Sequence, residues 1–139
     1  MATSKNRAFR GQLKAFVEDA RRQHMNWVKR VAAAAHRAAY QHTPIDTSRA
    51  MSGWVAQIGD PFMGEPNFTA GSKGSTLAEA IHLNESNIEE VSRAYRFGQR
   101  IFIRNNVHYI EILDSGEGSR QAPNGMMPFA LDAAEREMT

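Results

Sequence analysis

Residues 7–42 read as one amphipathic helix, and no other feature constrains the chain so tightly. Phe9, Leu13, Phe16, Ala20, Trp27, Val31 and Ala38 recur at intervals of three, four or seven, which lines them along one side of a helix. Arg7, Arg10, Lys14 and Arg21 fall on the opposite face. Thr43 and Pro44 end the run, because proline disfavours helix in its predecessor and has no N–H to give the ladder. About 35 helical residues at ~1.5 Å each span roughly 50 Å. A chain of 139 residues folds to a radius of gyration of about 14 Å, or a body nearer 40 Å across. Either the helix kinks around residues 23–26, where the stripe is weakest, or one end projects beyond the domain. A projecting amphipathic end needs a partner.

The charge distribution sharpens that expectation. Residues 1–42 hold nine Lys and Arg against Glu18 and Asp19, or +7, and residues 43–139 hold eight against thirteen acids, or −5; together they give the net +2. A basic helix on an acidic body suits either nucleic acid or the acidic body of another copy.

The remainder predicts a single domain over residues 1–139. Asp46 or Thr47 can cap a short helical turn, and residues 53–58 then read as a strand. Residues 59–75 carry four glycines and two prolines and read as a long loop, of the kind that is usually functional or disordered. Its apolar residues Phe62, Met63 and Phe68 are candidate anchors on a neighbour. Thr76 to Glu79 has the capping-box pattern and opens a second helix. Leu77, Ile81, Ile88, Val91 and Tyr95 form its stripe with Asn84 as the polar member, and a break near Asn84 with a restart at Ser86 is the competing reading. Gly98 stops this helix, and residues 100–104 alternate as a strand. A last helix, ~126–138, starts beyond Asn124 and Gly125 with Pro128 in its first turn; Met127, Leu131, Ala134 and Met138 are expected on its buried side. The fold class is therefore α+β, a long N-terminal helix and one or two further helices on a small, mainly antiparallel sheet.

Catalytic chemistry finds little footing. With no cysteine, thiolate nucleophiles, thiolate zinc sites and disulfides are excluded. GSKGST (71–76) fails as a phosphate loop because Lys73 precedes its glycine rather than following it. His24, His36, His42, His82 and His108 show no metal-ligand spacing. His82 with Glu79 or Glu85 reads as a solvated helix face, and His108 beside Asn106 and Glu111 has no evident nucleophile to serve as base. Glu89 and Glu90 are adjacent on a helix and point apart. The sequons at Asn67 and Asn84 are chance matches, since the first residues, MATSKNRAFRGQLK, lack the apolar core of a secretory signal. No apolar run approaches the ~20 residues of a membrane helix, so an intracellular, soluble product is expected. Trp27 reads as core rather than as a base-stacking platform. No catalytic, cofactor-binding or metal-ligating residue is assigned.

Residues 104–128, RNNVHYIEILDSGEGSRQAPNGMMP, are more patterned than an ordinary surface loop. Asn105 and Asn106 end a strand, where asparagine bonds to nearby backbone and tolerates left-handed conformations. Tyr109, Ile110, Ile112 and Leu113 form a short helix that buries an apolar edge. Gly116 and Gly118 permit a sharp exit, and Arg120, Gln121, Ala122 and Pro123 read as an extended arm suited to docking on another chain.

Three blocks resemble the neck or tail-completion proteins of tailed bacteriophages. TPIDTSR (43–49) with Trp54 downstream is similar to that family's Thr-Pro-Val-Asp-Thr-Gly block and tryptophan. IFIRNNVHY (101–109) is similar to its strand, asparagine pair and tyrosine, and SRQAPNGM (119–126) to its final block, with Gly125. The chain departs from the pattern at Ser48, where glycine is usual, at His108, where proline often precedes the tyrosine, and over residues 113–116, where a Glu-Tyr-Gly-like ending is common. The resemblance implies a non-enzymatic α+β virion subunit without cofactors, assembled in the bacterial cytoplasm into a ring, usually a hexamer. It also implies contact with head-completion or connector proteins and with tail-terminator or tail-tube proteins, and DNA passing through the lumen without sequence-specific binding. A tail terminator is the near alternative; a basic DNA-binding protein and a small hydrolase using His108 are the alternatives of other classes.

Overall fold

The computed structural model describes residues 3–44, 48–71, 75–116 and 124–139. Helix α1 runs unbroken from Thr3 to Gln41, straight through the 23–26 stretch, so of the two expected solutions the chain adopts the projecting end. Its last turn is closed from its own tail. The His42 N–H and Nδ1 both donate to Ala38 O, and the Thr43 hydroxyl donates to Ala39 O at 2.7 Å. Only the C-terminal half of α1 is built into the body. Around Ala38, Ala39 and Tyr40 it is buried, whereas residues 4–18 are exposed throughout.

A four-residue helix, α2 (Arg49–Ser52), leads into strand β1 (Trp54–Ile58). Helix α2 opens from Ser48 at φ 63, the left-handed region that favours glycine, at the position where the resembling family carries glycine. Helix α3 (Leu77–Ala94) is continuous across Asn84, and strand β2 (Ile101–Asn105), helix α4 (Ile110–Asp114) and helix α5 (Met127–Met138) follow. Thr76 does stand at the N-terminus of α3, but its side chain makes no cap bond there; instead its hydroxyl accepts from the Gly71 N–H at 3.0 Å.

The two strands pair antiparallel, from Trp54 opposite Asn105 to Ile58 opposite Ile101. The outer edge of β1 is not left open. Asn87 on α3 accepts from the Ala56 N–H at 2.7 Å and donates to its carbonyl at 3.0 Å, so one amide side chain stands in for a third strand.

Helix α1 lies between the other elements. On one side α3 and β1 meet it; on the other α5 runs back antiparallel along it, with the Phe129 ring stacked on His42 at 3.8 Å and Glu137 reaching Arg30 at 3.7 Å. Its Ala-rich tract 32–39 allows this approach on both sides. The core gathers Ala39, Tyr40, Ala50, Met51, Trp54, Ala80, Ile88, Leu113, Met126 and Ala130. Helix α5 corrects the expectation from its stripe. Ala130 and the preceding Met126 are buried, while Met127, Leu131 and Met138 face solvent, because a helix lying close against α1 presents its small residues to the contact.

Candidate functional site

Described residues of the three motif blocks, among them Thr43, Trp54, Asn105 and Gly125, lie around one end of the sheet. The Trp54 indole N–H donates to the Thr43 hydroxyl at 2.8 Å, inside the core, which ties the end of α1 to β1. Asn105 closes the opposite corner. Its amide donates to Ala50 O at 2.7 Å, and its side-chain oxygen accepts from the Val107 N–H two residues on. Gly53 is needed beside it, since a Cβ there would lie 2.6 Å from Asn105 Oδ1 and Val107 Cγ2. Asn106 holds the long loop, donating to both Phe62 O and Gly64 O at 2.8 Å. Tyr109 packs against the core.

Asp114 and Gly125 complete the corner. One carboxylate oxygen of Asp114 accepts from the Met126 and Met127 N–H groups, each at 2.9 Å, and so caps α5 from across the chain. Gly125 sits at φ 75, where a Cβ would fall 1.9 Å from Asp114 O. Gly116 also has positive φ, at 84. These contacts set Asp114 directly beside Gly125 and the start of α5. Arg120, Gln121, Ala122 and Pro123 of the expected arm, like Asp46 and Thr47 of the expected cap, lie outside the described residues.

An open groove of about 590 Å³ runs beside this corner, lined among others by Asn106, His108, Glu111 and Asp114. The His108 ring stands edge-on to Tyr109 at 5.0 Å, and Asp114 is committed to its cap. Among the described residues no serine, threonine or cysteine lines the groove. Among the described residues no cluster of three metal-ligating side chains forms, and no helix is long and apolar enough to cross a membrane.

The loop divides its expected anchors. Phe68 is half-buried against its own core; Phe62 is half-buried, and Met63 stays outside with its sulfur 3.5 Å from an Arg104 nitrogen. Arg49 and Glu65 pair across the loop at 3.2 Å. The local glycine content signalled a loop but not these tethers, which come from residues distant in sequence.

The basic residues Arg10 and Lys14 stand on the projecting part of α1. Arg21 marks where the body begins, its guanidinium 5.4 Å over the Phe97 ring, with His24 edge-on to the same ring. N-terminal to that contact the apolar stripe stays in water, with Phe9 64%, Leu13 51% and Phe16 71% exposed. The sequence predicted the stripe correctly and its burial only by halves.

One polar cluster escaped the sequence reading. His36 and Asn84 are both fully buried, and His36 Nε2 donates to Asn84 Oδ1 at 2.8 Å. Asn84 spends its amide protons on Met51 O and Ala80 O, so its oxygen must be the acceptor. His36 Nδ1 makes no hydrogen bond. Burial holds the His36 pKa below its ordinary 6.5 and so favours the neutral ring, against the upward pulls of Asn84, of Glu85 and of the Trp54 backbone. Glu85 itself is held low chiefly by the Arg37 guanidinium, and it accepts from Tyr40, whose phenol is pushed up to about 12 mainly by burial. Because the folded state prefers neutral His36, its contribution to stability is complete above pH ~6.5 and is lost as pH falls toward the lower folded value, by at most ~1.4 kcal/mol per pH unit. Urea midpoints between pH 7.5 and 5 are expected to fall more steeply for the natural chain than for His36→Gln. Equal slopes would remove His36 from the acid response. Asn84 at a stripe position was the one signal in the sequence that a buried polar partner had to exist.

Comparison of the chain with family models, with curated proteins and with solved structures gives no match.

Proposed function

We propose that this protein is a structural subunit of the neck of a tailed bacteriophage, self-assembling as a ring that completes the tail and joins it to the head. The residue blocks that resemble that family support the reading, and so does the use the chain makes of their described residues, as the corner that clamps the loop and caps α5. The observation that carries it is the free half of α1. About 18 residues at ~1.5 Å each extend the helix roughly 27 Å past the body, with three large apolar side chains in water. Such a face is stable when another chain covers it.

The double variant Phe9→Asp, Phe16→Asp tests the reading. Both side chains are exposed, so thermal stability should change by less than about 0.5 kcal/mol. The native mass of the purified protein should drop from a ring multiple to one subunit, and the variant should fail to join purified heads to tails. Full joining by a monomeric variant would sink the proposal. Lys5, Arg7, Arg10 and Lys14 on the same free segment favour duplex DNA as the second reading. That reading requires a gel shift at physiological salt which weakens steeply as salt rises.

A further inference from the structure

We infer that the free end of α1 docks on the outward face of α5 in a second copy of the chain, setting Phe9, Leu13 and Phe16 against Met127, Leu131 and Met138. The inference rests on the self-assembly within the proposed function and specifies the surfaces that carry it.

Within one chain, α5 already shows what this side of α1 accepts. Its contacts at Arg30 and His42 lie on either side of the line through Val31 and Ala38 when α1 is turned by 100° per residue. The same line continues through Trp27 to Phe16, Leu13 and Phe9. The chain's own α5 cannot follow it there. It ends at Met138, beside Arg30, and Phe16 lies 14 residues further, roughly 20 Å along the axis. A helix from another molecule is required.

Helix α5 has a second face to offer. Met127, Leu131 and Met138 are 41%, 59% and 53% exposed, and a helical turn of 100° per residue places them within about 40° of one another, away from the buried Ala130. Charge then selects the pairing. Lys5 and Arg10 border the stripe on α1 and Glu135 borders the one on α5, whereas Lys14 lies further round α1 and Asp132, further round α5, is paired with Arg136. Two α1 ends laid together would set Lys5, Arg7, Arg10 and Lys14 of one copy against those of the other, whereas α1 on α5 sets base against acid. The two patches differ, so the contact is head-to-tail and leaves each copy with one patch to give and one to receive, which is the geometry that closes into a ring.

The absence of natural cysteine makes the test clean. A Phe16→Cys protein mixed with a Leu131→Cys protein and mildly oxidised should give a mixed disulfide dimer, well above that from Phe16→Cys mixed with Glu79→Cys. At low salt, Arg10→Glu with Lys14→Glu should weaken association at least about tenfold against the natural protein. Partners carrying Glu135→Lys, which leaves the Asp132–Arg136 pair intact, should restore part of it. Oligomers that form without the cross-link and without charge-swap rescue overturn the α1–α5 contact and leave ring assembly standing. A protein that stays monomeric at every concentration overturns both. The cross-link and rescue without head–tail joining support the contact and remove the neck.

Discussion

Asn84→Leu is expected to cost about 4 kcal/mol, because three hydrogen bonds disappear from a site closed to water and three buried partners lose theirs. His36 would be left with both ring nitrogens unpaired, and Met51 O would lose the donor that ties α2 to α3. Leucine keeps the branched shape of asparagine with bulkier methyl groups, so no cavity opens, and the loss is one of polar satisfaction with some overpacking. Domains of this size are stable by only 5–15 kcal/mol, so the variant should lose a large share of its margin. Urea denaturation at pH 7.5 checks it. The companion Asn84→Leu, His36→Leu removes the main orphan as well and should recover part of the loss. A single variant within 1 kcal/mol of the natural chain would mean the cluster contributes little.

Gly125→Ala should be nearly as damaging, at about 3–4 kcal/mol, and the reason is position rather than residue type. The added Cβ falls 1.9 Å from a backbone oxygen of Asp114, which cannot rotate away as a side chain could. Relieving the clash means moving Asp114, and with it the cap on the Met126 and Met127 N–H groups and the seat of fully buried Met126. Gly98 supplies the control. It too has positive φ, at 88, but a Cβ there meets nothing within 4 Å, so Gly98→Ala should cost only the left-handed backbone penalty of about 1–2 kcal/mol. Thermal unfolding of the two variants side by side separates clash from conformation; equal losses would refute the assigned role of Asp114. In the ring reading, Gly125→Ala also displaces one end of segment 117–123 and should reduce joining even where the protein remains folded.

Much of this protein was decided locally and could be read from the chain. The 3–4 spacing of apolar residues placed α1, α3 and α5; Thr43 with Pro44 stopped the first, and Pro128 opened the last. Asn105 ended its strand through a bond to its own backbone, and Gly125 met a backbone demand that no side chain satisfies. The α+β class followed from these elements and from the two short alternating strands. What the sequence could not decide was which apolar face meets which. A stripe records that a face is to be covered, and the same pattern serves a helix of the same chain or of another. That is why the stripe of α1 left a kinked and a projecting helix both open, and the fold leaves Phe9, Leu13 and Phe16 in water. It is also why Ala130 took the buried place expected of Met127, Leu131 and Met138, since close approach to α1 demands a small side chain. His36 with Asn84, and Asn87 on the edge of β1, join residues 48 and 31 positions apart. Their bonds exist only once α1, α3 and the sheet have closed on one another, because hydrogen bonding depends on a few ångströms of separation that no sequence interval specifies.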